Sequence, residues 1–579
     1  MKIFPVLFAA ILLAGCSGIN KMVKNAELVK YSVQPEILEL HGGEVEVKIN
    51  GEFPPKFFVK SAELTLTPVI VDGEKVIKEL KPIKLQGEKV QANNKVISYD
   101  NGGDFAYTEK FAFEESMRKS ELKLKITAAK GSKSVSLPEV KLADGVIATP
   151  NLVQFTPQVL KGTTLKINQN PSVYDPNASV FQREVPETVN ADILYLIQQA
   201  QLRNSELKKE DLVKMREFLD EIKSDERLKL ENVAISSYAS PDGALDLNTK
   251  LSDRRGSTAE NYIKRELKRK KLADADVKAS TTAEDWEGFE QLVRASNIQD
   301  KEVILRVLSM YKDVEVREKE IKNISAAYVE LAENVLPQLR RSKYFVNATR
   351  IGKSDEEIAA IAANSPDSLN PAELLHAAEL VENQDEKLKL YQAFSSTYPS
   401  DWRGPNNEGY IYFMKNDLSA AKAAFEKAKS LENNSYVMNN LGACELLSGN
   451  VEAARNYFMG ALGADSKVAY NLGMIQIKEG AYADAVKNIG NVKDFNAALA
   501  ALMNGSTNDA LAIIDAIPSK SAMDYYLKAV IGARTSNNEL LISNLKTAIS
   551  KESSLAGKAK TDLEFYKFFE TPEFAGLVK

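Results

Sequence analysis

Apolar and polar positions alternate along the first quarter of the chain. Val45, Val47 and Ile49 interleave with Glu44, Glu46 and Lys48, and Leu122, Leu124 and Ile126 with Glu121, Lys123 and Lys125. A period of two gives each strand one buried and one wet face. Turn residues punctuate the pattern at His41-Gly42-Gly43, Pro54-Pro55, Asp72-Gly73, Asn101-Gly102-Gly103 and Lys130-Gly131. Short antiparallel strands at this spacing predict a β-sandwich over residues 32–150. The polar residues 17–31 read as a tether before it. Residues 151–184, with Pro157, Pro171 and Pro176, read as a connector after it.

From residue 185 to 350 the period changes. Ile193, Tyr195 and Ile197 predict a strand; Leu212, Met215, Leu219 and Ile222 mark one face of a helix. Val233 and Ile235 open a second strand, and Ala259, Tyr262, Ile263 and Leu267 a second helix. This β-α-β-α order points to an α/β layer domain. A helical insertion follows, carrying Ile304, Val307, Leu308 and Tyr311, then Ile321, Ile324, Tyr328 and Leu331. Tyr344–Thr349 reads as the closing strand. Glu284-Asp285-Trp286-Glu287 predicts a packed helix start, with a binding role as the alternative. The basic run Lys264–Lys271 suits a helix C-terminus on a solvated face; contact with anionic lipid or cell-wall polymer is the alternative.

Residues 354–579 read as helical throughout, and here the chain repeats. Gly409, Gly442 and Gly473 are 33 and 31 residues apart. Ala421, Ala454 and Ala485 follow each glycine by twelve positions; Phe425, Phe458 and Ile489 come four later, then Ala428, Ala461 and Val492. The pattern resembles the tetratricopeptide repeat, a helix-turn-helix unit that must stack to bury its apolar face. Asn370–Tyr398, Asp494–Ile517 and Met523–Ser550 read as degenerate or truncated repeats, and Leu555–Lys579 as a cap. Asn407, Asn440 and Asn471 each stand two residues before the repeat glycine. The resemblance implies a groove in which such asparagines bond a peptide backbone, with Arg403, Tyr410, Lys467 and Tyr470 beside them; the other reading is that Asn is merely common in the repeat consensus.

The stretch Ser237-Tyr238-Ala239-Ser240-Pro241-Asp242-Gly243, with Asn248 and Leu251-Ser252-Asp253-Arg254-Arg255-Gly256, resembles the OmpA-like peptidoglycan-binding domain. In that family an Asp and an Arg hold a zwitterionic stem-peptide residue, the Arg by a bidentate fork. The resemblance places Arg255 and Asn248 at the family's positions and Ser240 where the family has Asp. Asp242 could reach back to replace it, or could be a simple turn residue. Arg255 could instead pair with a neighbour such as Asp253 or Glu231.

At the start, Lys2 precedes an apolar run from Ile3 to Leu13 and then Leu13-Ala14-Gly15-Cys16. The run is too short to span a bilayer and has small residues before the Cys, as an export signal requires. Residues 1–16 resemble a bacterial lipoprotein signal peptide and lipobox, which implies acylation at Cys16 and a durable membrane anchor. No acidic run follows Cys16, which favours the periplasmic face of an outer membrane. A chain of 579 residues exceeds one core, and a net charge of −5 gives no case for nucleic acid. The two cysteines leave no intrachain disulfide once Cys16 is acylated, and Cys444 reads as a core residue. His41 reads as a turn residue and His376 as helical; neither has metal-ligand spacing around it, and no nucleophile or phosphate-loop motif is present. No catalytic residue, metal or cofactor is expected. The expected whole is multidomain: β-sandwich, α/β OmpA-like domain, all-α tetratricopeptide solenoid. The expected function is an outer-membrane lipoprotein scaffold that binds envelope proteins through its repeats, with peptidoglycan contact possible, or alternatively a tether between outer membrane and peptidoglycan.

Overall fold

The computed structural model describes residues 18–162, 181–298, 300–323 and 325–579. They divide into two compact units, Met1–Leu160 with Tyr412–Lys579, and Lys161–Ile411. Cys16 and the signal stretch, with Pro171, Pro176 and Ile324, lie outside the described residues.

In the first unit, two sheets enclose one core. In one sheet, Glu44–Phe53 pairs with Lys30–Gln34, Leu38–His41 and Gly103–Ala112, and Val146–Ile147 adds to Leu38–His41. The other runs Lys133–Asp144, Glu121–Lys130, Glu63–Asp72, Ile83–Gly87, Lys95–Ile97, with Lys75–Glu79 also on Glu63–Asp72. Val45, Val47, Ile49, Leu122, Leu124 and Ile126 all point into this core, as the alternation requires. The expected tether is shorter than its sequence suggests. Gly18–Lys24 forms a helix that buries Ile19 and Met22 in the same core, because two apolar side chains three apart share one helix face.

The rest of the first unit is helical hairpins. Ser435–Leu447 pairs with Val451–Ala461, Ser466–Lys478 with Tyr482–Ile489, Phe495–Met503 with Thr507–Asp515, and Ala522–Arg534 with Asn538–Lys551. Ser554–Ala559, Leu563–Phe568 and Pro572–Leu577 close the end. The repeat glycines exist for helix contact. A Cβ on Gly442 would lie 2.7 Å from Phe458 Cε1 and 3.0 Å from Tyr457 Cβ; one on Gly473 would lie 2.6 Å from Ile489 Cγ1. Ala454, Phe458, Ala461, Ala485 and Ile489 are buried where the spacing puts them. Val492 is not; its helix stops at Ile489, and Gly490 turns the chain at φ 67°.

The β-rich part and the hairpins of this unit touch directly, a contact their separation in sequence does not announce. Thr149 Oγ1 donates to Glu564, which Arg534 grips through Nε at 2.9–3.0 Å. His41 Nδ1 lies 3.2 Å from the Tyr482 hydroxyl. Gly42, at φ 62°, backs onto the Glu479 carbonyl, where a Cβ would come within 2.6 Å.

The second unit holds a four-stranded sheet in the order Glu184–Leu194, Arg341–Ile351, Leu228–Tyr238, Asp276–Thr282, the last pair parallel and the others antiparallel. Helices Glu210–Ser224 and Leu245–Lys270 pack on it through the expected apolar faces. The first strand ends at Leu194; Tyr195 is buried but Ile197 is exposed. Asp285 caps the helix Trp286–Ala295 by accepting from Gly288 N at 2.8 Å, so the acidic cluster around Trp286 is a helix start. The basic run ends Leu245–Lys270, with Lys271 as a left-handed cap, and Lys264 and Arg269 pair with Glu260 and Glu266. The insertion helices gather a small core of their own around Phe289, Ile304, Leu331 and Leu336. Asp355–Asn364, Pro371–Leu380, Gln384–Thr397 and the start of Arg403–Met414 complete the unit.

The packing separates two glycine classes. In a helix, Gly→Ala alone gains about 1 kcal/mol, but forcing a methyl into a filled core costs about 1–3 kcal/mol. Gly442→Ala should therefore lower the denaturation midpoint. Gly557→Ala, in an exposed helix with open space around it, should raise it. Chemical denaturation of both variants checks the opposite signs.

Candidate functional site: a ladder of asparagine side chains

The first helices of the hairpins in the first unit carry Asn440, Asn471 and Asn496, all buried. Each stands nine residues before a left-handed glycine that ends its helix: Gly449, Gly480 and Gly505, at φ 85°, 77° and 83°. The common distance to the turn puts all three at one helix position. Opposite them lies the connector of the same chain.

Each rung is two-sided. Asn440 Oδ1 accepts from Leu160 N at 2.7 Å and its Nδ2 donates to Leu160 O at 2.8 Å. Asn471 does the same for Gln158, at 2.8 and 2.8 Å. Asn496 does so for Gln154, at 2.9 and 2.8 Å. A primary amide is the one neutral side-chain group, shared by Asn and Gln, that matches a peptide unit with both a donor and an acceptor. Two residues of extended chain cover about 6.6–6.8 Å, so the repeats holding Asn440 and Asn471 meet alternate residues of the segment. Between Gln158 and Gln154 the step is four residues. It contains Pro157, which has no N–H to offer, and Thr156 N, which turns back to Gln154 O at 3.0 Å.

Neighbours fix the amides. Asn439 Nδ2 donates to Gln158 O at 2.9 Å, and Asn439 Oδ1 accepts from Asn471 Nδ2 at 2.9 Å. Tyr470 donates to Asp494 at 2.6 Å and accepts from Asn496 Nδ2 at 3.2 Å; burial and that carboxylate push its hydroxyl up to about 12. The segment adds apolar anchors: Leu152, Pro157, Val159 and Leu160 are buried, and Lys478 lies over the Phe155 ring. Lys467, expected in the groove, is exposed, and only its main-chain N–H is used, on the Asp465 cap.

The second unit repeats the motif once. Gly162 N donates to Asn407 Oδ1 at 2.6 Å. Asn407 Nδ2 is buried and has no hydrogen-bond partner among the described residues. Gly162 sits so close that a Cβ would lie 2.9 Å from Arg403 Cγ and 3.1 Å from Trp402 Cη2. Arg403 is tied to Asp401, with Nη2 to Oδ2 at 2.6 Å, and lies over Phe394. Tyr410 receives Lys161, which also pairs with Glu379 at 2.5 Å. The resemblance implies that these asparagines bond the backbone of a bound peptide. Instead the chain's own connector holds them.

The second cluster, also in this unit, is assembled but internally satisfied. Ser240, Asp242, Asn248 and Arg255 do come together. Asn248 Nδ2 donates to Gly243 O at 2.9 Å and Ser240 O at 3.2 Å. Ser240 donates to Asp242, and Arg340 reaches both, through Nε to Ser240 Oγ and Nη2 to Asp242 Oδ2, each at 3.2 Å. Arg255 pairs with neither Asp253 nor Glu231. It is fully buried and donates to the carbonyls of Tyr238 at 2.8 Å, Gln199 at 3.0 Å and Leu196 at 3.3 Å, and burial pushes its guanidinium down to about 10. The sequence signal drew attention to Asp242 but gave none for Arg340, almost a hundred residues away.

Cys444 is buried, and burial pushes its thiol up to about 12. His376 Nε2 contacts Asp355 at 2.7 Å and its ring stacks on Phe181 at 4.0 Å; His41 Nε2 lies 3.3 Å from Glu39. Among the described residues, no group of three or more His, Cys, Asp or Glu side chains could hold a metal ion, and no helix is long and apolar enough to cross a membrane.

No protein-family model matches the chain, and no curated protein matches it. Several solved structures are similar to parts of it. One is a tetratricopeptide repeat protein from Parabacteroides merdae, 16% identical, covering 36% of this chain and 91% of that one at a TM-score of 0.27. PilF of Pseudomonas aeruginosa is 14% identical, covering 37% and 99% at 0.29. PilW, described as a type IV pilus biogenesis factor, is 15% identical, covering 39% and 89% at 0.22.

Removing Asn471 strands the Gln158 N–H and leaves the Gln158 carbonyl to Asn439 alone. Asn471→Ala should therefore cost about 1–3 kcal/mol of stability. An exposed polar change such as Lys467→Ala should fall within about 0.5 kcal/mol of the natural chain. Denaturant midpoints of the two variants check the contrast.

Proposed function

We propose that this protein is a non-catalytic scaffold, anchored by acyl chains at Cys16 to the periplasmic face of an outer membrane, whose helical repeats engage other envelope proteins. One observation carries the reading: the repeats present side-chain amides that grip a peptide main chain by both N–H and C=O, rung after rung. Such a surface recognises polypeptide and offers nothing that would activate a nucleophile. The lipobox resemblance at Leu13-Ala14-Gly15-Cys16 supports the anchor. Three acyl chains, at about 0.8 kcal/mol per buried methylene, would hold where one is marginal.

Peptidoglycan contact is the weaker reading. A stem-peptide ammonium needs a free carboxylate, and Asp242 already meets Arg340. A stem-peptide carboxylate needs a free guanidinium, and Arg255 is spent on three carbonyls. The purified chain should stay in the supernatant when peptidoglycan is sedimented. Co-sedimentation that Arg255→Ala abolishes in a still-folded chain would restore the tether reading.

Two measurements test the scaffold. Cys16→Ser should lose acyl labelling and leave the membrane fraction; retention with labelling would refute the anchor. Crosslinking in intact cells should join the natural protein to a small set of envelope proteins at near-stoichiometric yield. Recovery of lipid and peptidoglycan alone would refute the scaffold.

A further inference from the structure

We infer that residues 152–160 are a resident ligand, and that the ladder they fill is a binding site for an extended peptide of the same kind in a partner protein. The inference rests on the scaffold reading and gives its partner a chemistry.

The contacts are those of recognition between separate chains. All polar rungs of the first unit go to main-chain atoms of Gln154, Gln158 and Leu160. Because these bonds go to main-chain atoms, the rungs read conformation and not sequence. Selectivity comes from the apolar anchors: Leu152, Phe155 and Leu160 pack against the helices, and Pro157 and Val159 are buried. The matching partner peptide takes the same turn at its third to fifth positions, is apolar at its first, eighth and ninth, and is aromatic at its fourth. A charge at the buried first, eighth or ninth position would cost desolvation.

The segment is covalently part of the chain, so it competes at an effective concentration of the order of millimolar. An outside peptide meets an accessible site only in the fraction of molecules whose own segment has left, and its apparent affinity falls by that fraction. The natural chain should therefore bind such a peptide poorly, and weakening the resident segment should expose the site. The asparagines, being on the helices, remain.

The test uses full-length protein carrying Cys16→Ser and a fluorescent synthetic peptide with the sequence of residues 152–160. Leu152→Ala with Leu160→Ala loosens the resident segment without touching the ladder. That variant should bind the peptide at least about tenfold more tightly than the parent. Adding Asn440→Ala, Asn471→Ala and Asn496→Ala should abolish the gain. Equal, weak binding by the parent and a folded loosened variant would show a fixed staple and overturn the inference. Binding that survives loss of the three amides would overturn it too.

Should the double variant not fold, the parent is tested with the same peptide bearing a photoreactive group, at large excess. Crosslinks should fall within Ser466–Lys478 and be suppressed by unlabelled peptide, and their absence there would overturn the inference. Failure in either arm leaves the cellular crosslinking of envelope proteins unaffected, so the scaffold reading stands or falls separately.

Discussion

The structure of the first unit depends on a side-chain amide that answers a peptide unit on both of its hydrogen-bonding sides. Residues 154–160 are in neither helix nor sheet, yet several of them are buried. A buried backbone must find partners for its N–H and C=O groups, and irregular backbone usually finds them by staying at the surface. Here Asn440, Asn471 and Asn496 supply them. The ladder thus accompanies the entry of Leu152 and Leu160 into the helical core. With the contacts of Thr149 to Glu564 and His41 to Tyr482, it joins a β-rich region to hairpins more than 250 residues away in sequence.

The central cluster of the second unit shows the opposite use of charge. Asp242, Arg340 and Arg255 are brought together, and each meets an internal partner. A buried guanidinium bonded to three carbonyls fixes the loop Leu196–Gln199 against the end of the strand Leu228–Tyr238. Asp242 meets Arg340 at 3.2 Å and accepts from Ser240. These strong groups are spent on the fold of the cluster itself.

Much of this was legible in the sequence because it follows from periodicity. Alternation located Val45, Val47 and Ile49, and the repeat spacing located Gly442, Phe458 and Ala461. The recurrence of Asn440 and Asn471 pointed to a groove for an outside peptide; in the fold these amides meet the main chain of Gln158 and Leu160. The occupant was not legible, since a side chain that binds backbone leaves no mark on residue identity: Gln154, Gln158 and Leu160 share no chemistry. Asn496 was missed because Ala498 replaces the repeat glycine, although its nine-residue distance to Gly505 was there to be read. Asp276–Thr282 escaped as a strand because it lies at the sheet edge with nearly every residue exposed, so no alternation is imposed on it. Gly18–Lys24 escaped as a helix because seven residues carry too little pattern.

The most direct measurement of the central claim is amide hydrogen exchange over residues 154–160 in the native protein. Bound through the ladder, Gln158 and Leu160 should exchange at least about a hundredfold more slowly than in an unstructured chain, yet open before the helix Ser435–Leu447 does. Asn471→Ala should accelerate Gln158 selectively. Exchange of this segment at the rate of a free coil would contradict the account.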